Sequence, residues 1–337
     1  MGGSTILYYL LTLAIFFSIY SIYAWGLNLQ FGLTGILDFT YITFVAIGAY
    51  FAGVTAMGKP QPNGMSGTYI LGWHLPFPIS LSLGGLAAAV LAALVGYVGL
   101  RRLRSDYLAI TTVAVGQIAW MVIGNATPLF NGWDGITGVP QPYNSLFHLN
   151  YNQYQIPFLV ICVIFAAIAW WVANALTYSP YGRVLRAIRE DETVATSLGK
   201  NVFRYRMSAF IIGAVFAGVG GALTIEYVGA FNPSGWAVLE TFIVWAAMLV
   251  GGQGNNNGMI LGAFLVPVLF AEATRFITIP AHPLLMQSIR GMAIGLLMIL
   301  VVRFRPQGII PEKKRVYALS PGSMGKEDAS HARPVQG

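Results

Sequence analysis

Charge is what this sequence has least of. Of its 337 residues, 9% are Asp, Glu, Lys or Arg and 56% are hydrophobic, whereas soluble domains carry about 25% charged residues. The deficit excludes an ordinary water-soluble fold and places most of the chain in lipid. A single cysteine, Cys162, sits inside an apolar run, which excludes a disulfide framework. There is no H-E-x-x-H, no paired-cysteine motif and no G-x-S-x-G, so the familiar metal and nucleophile constellations are missing. No G-x-x-x-x-G-K-S/T run occurs either, so ATP phosphates have no such backbone cradle here. His74, His148 and His282 lie far apart, near expected loops and outer edges. The first apolar segment, Thr5–Trp25, has no basic region before it and no small-residue cleavage site after it, and reads as a span.

What is present is a series of apolar runs. A helix needs about 20 such residues to cross a bilayer. The candidate spans are Thr5–Trp25, Phe39–Met57, Phe77–Leu100, Asp106–Asn125, Gln155–Thr177, Met207–Val228, Ala237–Val250, Met259–Ile277 and Leu284–Val302. Leu27–Leu37 is too short to cross alone. The expected fold is an all-α integral membrane bundle over residues 1–315, with a disordered cytoplasmic tail over 316–337.

The formal charge of +7 does not point to nucleic acid, because of where it lies. Arg101, Arg102 and Arg104 share one loop, and Arg183, Arg186, Arg189, Lys200, Arg204 and Arg206 share another. Arg303, Arg305, Lys313, Lys314 and Arg315 follow the last span. Counting crossings puts all three groups on one face. Of the opposite loops, Ala126–Tyr154 has no Lys or Arg and Gly58–Pro76 has only Lys59. The basic face is therefore cytoplasmic. No basic residue precedes Lys59, so the side of the N-terminus stays open.

Two Gly-rich stretches interrupt the apolar pattern: Gly26–Phe39 (GLNLQFGLTGILDF) and Gly251–Gly258 (GGQGNNNG). Each is followed by a Gly-Ala step, Gly48-Ala49 and Gly262-Ala263, a faint echo between the two halves. Broken helices in matching positions mark transport pathways, since free backbone groups there can face a polar solute. Ordinary loops are the other reading. Gly213, Ala217 and Gly221, with Ala214, Gly218 and Ala222 beside them, form a small-residue face that lets helices approach closely. Ionisable groups inside spans are costly. Asp38 closes the first interruption, Glu226, Glu240 and Arg290 lie near outer ends, and Glu272 with Arg275 reads as a structural pair.

The longest polar stretch between spans starts at Gly182. Arg183, Arg186 and Arg189 recur every third residue before Glu190, Asp191 and Glu192, while Val184, Leu185 and Ile188 take another face. That pattern describes a short amphipathic helix with a basic edge. A helix lying on anionic lipid is the alternative, and the acidic triplet weighs against it.

These residues resemble a known family. GRVLRAIREDETVATSLGKNVFRYRMSAFIIGAVFAGVGGAL is similar to the cytoplasmic signature of ABC importer permeases for branched-chain amino acids, of the LivM-like type. GLNLQFGLTGILDFTYITFVAIGAYFAG, RLRSDYLAITTVAVGQI, WDGITGVP, LVGGQGNNNGMILGAFL and IRGMAIGLLMILVVRFRPQGII resemble other family segments, so that the likeness runs over Ala24–Pro311. It implies an importer in a prokaryotic cytoplasmic membrane, with a second permease subunit, two cytoplasmic ATPases that bind ATP and Mg, and an extracytoplasmic solute-binding protein. It implies that Gly182–Leu198 is the coupling helix region, with Arg183, Arg186, Arg189, Glu190 and Asp191 as polar contacts. It also implies a pathway at Asn28, Gly32 and Gly35, where Asp38 departs from the usual pattern, as do Asn131-Gly132 and Lys200. Asn131, Trp133 and Asp134, in a turn-rich outer loop, are the candidates for docking the binding protein or lining an entrance, and a solvated loop with an interfacial Trp is the other reading. No cofactor, metal or catalytic residue is expected in this chain. Related permeases carry urea, short amides or other amino acids, and an ion-coupled secondary transporter is the rival of a different class.

Overall fold

The computed structural model of the protein describes residues 3–59, 68–103, 105–142, 151–270 and 283–312. It is an all-α bundle, and six of its described helices are long and apolar enough to cross a membrane. The helix α1 (Gly3–Leu27) is apolar on every side, as a buried or lipid-embedded helix is. α2 spans Tyr41–Ala56, α3 Phe77–Arg102, α4 Ser105–Asn125, α5 Thr127–Phe130 and α6 Tyr151–Tyr178. The polar stretch between spans forms α7 (Pro180–Glu190) and α8 (Glu192–Ser197). α9 (Val202–Val228), α10 (Val238–Gly251), α11 (Asn256–Ala263) and α12 (Pro283–Phe304) complete the bundle. A short antiparallel pair joins β1 (Ile136–Thr137) to β2 (Ala230–Phe231) on the outer face.

α9 is the central post, packed against α1, α2 and α3. Asn201 caps its start, its side-chain oxygen accepting from the Arg204 N–H at 3.1 Å. Gly229, at φ +74°, ends it and donates to the Ile225 carbonyl at 2.7 Å, the left-handed stop that glycine adopts without strain. The small-residue face packs as its spacing predicts. Gly218 meets the backbone of Gly48, and Gly84 packs against the Gly48 carbonyl, so three helices touch with no side chain between them.

Contacts along α9 give the direction of α1 within the bundle. Thr12 of α1 bonds Tyr227 at 3.1 Å, Tyr23 bonds Thr224 at 2.7 Å, and Gln30 donates to the Phe210 carbonyl at 2.9 Å. α1 therefore runs antiparallel to α9. Since α9 rises from the basic face, α1 begins at the opposite end of the bundle.

Several expected boundaries move. Phe39–Met57 is not a full crossing: α2 has 16 residues and starts beside Tyr23, whose carbonyl accepts from the Tyr41 hydroxyl at 2.8 Å. Leu27–Leu37 is not a separate segment; α1 continues as a π-turn over Asn28–Gly32 and then loses helical form. Arg204 and Arg206 belong to α9 rather than to a loop. Arg206 is buried and pairs with Glu192 at 3.1 Å. Glu272, Arg275, His148, His282, Arg104, Lys313, Lys314, Arg315 and the 316–337 tail lie outside the described residues.

Candidate functional site: two backbone breaks tied to a cytoplasmic elbow

The first interruption is a true break. Leu33 N–H reaches the Asn28 carbonyl at 3.0 Å, one residue beyond the α-helical step, and such π-turns cluster at functional sites. Residues 33–40 then climb without helix to Tyr41. Thr34, Ile36, Asp38 and Thr40 are buried, whereas Gly35, Leu37 and Phe39 are half-buried, the alternation of an extended segment with one face covered. Two of its backbone groups find partners on α4 and α10. Phe39 N–H donates to Thr112 Oγ1 at 3.1 Å, and the Asp38 carbonyl accepts from Trp245 Nε1 at 2.9 Å. The Phe39 ring stacks on Trp245, centroids 5.0 Å apart. Asp38 Oδ1 accepts from the N–H and hydroxyl of Thr40.

The second interruption is a tight turn. α10 and α11 form a hairpin in which Gly251 packs on Gly258 and Gly262 on the Ala247 carbonyl. Gly252 and Gly254 take φ +117° and +80°, which side-chain-bearing residues rarely adopt. The chain after α12 straps this turn: Ile309 and Ile310 N–H donate to the Val250 and Gly251 carbonyls at 2.9 and 3.1 Å.

The two interruptions meet. Asn28 Nδ2 donates to Asn256 Oδ1 at 3.0 Å, and the Gly254 N–H donates to Asn28 Oδ1 at 2.8 Å. Asn256 Nδ2 donates to Asn174 Oδ1 at 2.9 Å and to Thr177 Oγ1 at 3.0 Å, at the cytoplasmic end of α6. Asn28 and Asn256 are both buried. Gly32 is equally constrained: a side chain there would strike Asn28 Oδ1 and the Gly254 nitrogen. Asn174 and Thr177 carry no mark of a site in the sequence, whereas Asn256 lies in the NNN run of the second Gly-rich interruption.

α7 forms where the amphipathic pattern predicts, with Gly182, Leu185 and Ile188 buried. Ser179 caps it and Gly182 fits because a Cβ would meet the Thr177 carbonyl. The arginines divide. Arg183 is exposed with Glu190. Arg186 Nε and Arg189 Nη2 both turn to one carboxylate, Glu312, at 2.6 and 2.7 Å. Arg186 also donates to the Thr177 carbonyl at 3.2 Å and Arg189 to the Gly32 carbonyl. Asp191 is spent locally, capping α8 through the Thr193 and Val194 N–H groups at 2.8 and 3.0 Å. The exposed residues of this elbow include Arg183, Glu190, Val194 and Leu198, the last 72% exposed.

On the outer face, Asn131 adopts φ +63° and donates to the Gly135 carbonyl at 2.8 Å. Trp133 packs edge-on against Trp120, 4.7 Å between centroids, yet stays 46% exposed beside exposed Asp134. A small cavity of about 70 Å³ opens between α1, α2, α9 and α10, near Tyr23, Trp236 and Glu240. Asn28, Gly32, Gly35 and Asp38 do not line it. Glu226, expected near an outer end, is buried and accepts from the Ser80 hydroxyl at 3.0 Å.

A multi-pass bundle with broken helices and an elbow on its basic face defines a membrane transport subunit. The chain belongs to the family described as the permease component of branched-chain amino acid transport systems, whose profile matches residues 9–302. It is 32% identical to the high-affinity branched-chain amino acid transport system permease protein LivM of Escherichia coli K12, covering 92% of this chain and 72% of that one. A probable LivM of Methanocaldococcus jannaschii is 25% identical, over 89% of this chain and 92% of its own length. The LivH permease of E. coli K12 is 26% identical, over 89% and 94%. No solved structure matches.

Proposed function

We propose that this chain is one of two permease subunits in an ABC importer for branched-chain or other apolar amino acids, seated in the cytoplasmic membrane of a prokaryote. Similarity to both LivM and LivH supports a paired arrangement, with this chain on the LivM side. Two ATP-binding subunits supply the ATP and Mg chemistry, and an extracytoplasmic binding protein delivers solute. The chain itself makes and breaks no covalent bond. It contributes a bundle with two arrangements, biased by its partners.

The observation that carries this reading is the elbow of α7 and α8. Val194 and Leu198, with Arg183 and Glu190, are exposed on it and give it both apolar and charged groups. An ATPase groove covers it, while Gly182 seats α7 against α6. The half-buried edge of the first break, Gly35, Leu37 and Phe39, is apolar and forms a wall of the solute path, with Asn28, Gly32 and Asp38 as its frame. Trp133 and Asp134, on the rigid turn set by Asn131, meet the binding protein. In proteoliposomes holding the whole complex, leucine uptake is expected to require ATP and the binding protein, and to persist when ionophores dissipate ion gradients. Uptake that follows the ion gradient and ignores ATP would overturn the assignment.

A further inference from the structure

One carboxylate holds three pieces of the cytoplasmic face together. Glu312 belongs to the strap after α12, not to the elbow. Its two oxygens take Arg186 and Arg189 of α7 separately, at 2.6 and 2.7 Å, and it is only 19% exposed. Charge-assisted bonds of this kind are about twice as strong as neutral ones. Arg189 reaches on to the Gly32 carbonyl, the last residue of the first break's π-turn. The Glu312 carboxylate lies against Gly254, where a Cβ would come 2.7 Å from it, and the Gly254 N–H is held by Asn28. Asn255 Nδ2 fastens the same strap at the Pro311 carbonyl, 2.9 Å away.

We infer that Glu312 is a latch: a positioning residue that ties the strap and the 251–256 turn to α7, so that they follow when a partner moves it. The arginine forks are planar and directional, so a shift of α7 either carries Glu312, Gly32 and the 251–256 turn with it or breaks two ion pairs. Without the carboxylate, α7 keeps its apolar seat at Leu185 and Ile188, the bond from Tyr181 to Ser208 at 2.7 Å and its contacts to Thr177 and Gly32. The strap then loses its tie to α7, and the 251–256 turn is linked to α7 through Arg189, Gly32 and Asn28. This inference rests on the coupling role proposed for the elbow.

The test uses the complete complex in proteoliposomes and measures solute transported per ATP hydrolysed. For E312Q the ratio is expected to fall about tenfold or more, within the usual range of inter-site coupling, while assembly is kept and hydrolysis stays within about twofold. E312D keeps the charge with a shorter reach and is expected to recover part of the ratio. A wild-type ratio in E312Q, or transport and hydrolysis falling in proportion, overturns the latch. If E312Q does not assemble, E312D decides: a ratio lowered about threefold supports the latch and an unchanged ratio overturns it. A Val194→Cys cross-link to the ATPase in a C162A background separates the two claims. With the cross-link present and the E312Q ratio unchanged, the latch alone fails. With no cross-link in the intact complex, the coupling role fails and takes the latch with it.

Discussion

Asn28 and Asn256, 228 residues apart in the chain, share a hydrogen bond of 3.0 Å inside the protein. Each closes a break in a different half of the bundle. Together with Gly254, Asn174 and Thr177 they satisfy one another's polar groups where the regular helix is interrupted.

Asn28→Ala removes the acceptor for the Gly254 N–H and the donor to Asn256. The cost is expected to be about 1–2 kcal/mol, the scale of interhelical polar contacts in membranes. A lower midpoint of thermal unfolding in detergent checks this, with Asn257→Ala as the control, since Asn257 is exposed. Asn28→Ala is also expected to slow transport, because the two breaks are no longer tied.

Gly48→Ala is expected to prevent correct folding. The added methyl would overlap the backbone of Gly218 in a contact where both helices are already at backbone distance, and overpacking of this kind costs about 1–3 kcal/mol or more. Gly295→Ala is the matched control: nothing lies within 4 Å of a Cβ there, and removing a helix-interior glycine is mildly favourable. The yield of monodisperse protein from membranes should fall for the first and hold for the second.

The antiparallel course of α1 and α9 predicts an extracytoplasmic start for α1. In a C162A background, a cysteine at Gly3 should react with a membrane-impermeant maleimide added to intact cells. A cysteine at Gly199, on the exposed elbow, should react only after permeabilisation. The reverse pattern at Gly3 would contradict the orientation.

Much of this architecture is legible in the order of residues alone. Lys and Arg placement marks the basic face, because each described cluster lies at one end of the bundle. α7 is legible because Leu185 and Ile188 recur at helical spacing. The start of α1 is not, since no charge precedes Lys59 and only the contacts of Thr12, Tyr23 and Gln30 with α9 decide it. Spacing places Arg186 and Arg189 on a face but cannot say what covers that face. Glu312 is hidden in a basic segment that reads as a topology signal. The Asn28–Asn256 bond is purely tertiary, and no local pattern announces it. Both interruptions are visible, but one is a broken helix and the other a hairpin turn, a difference set by the partner each glycine meets. The ion-coupled alternative gives way to membership of the permease family.

The account stands on force entering through the elbow. A photo-reactive amino acid at Leu198, 72% exposed at the end of α8, tests that most directly in the assembled complex. The account predicts a covalent adduct with an ATP-binding subunit, at a yield that changes when ATP is trapped in the partner. Adducts with lipid or solvent alone, in a complex that still contains its ATPases, would contradict it.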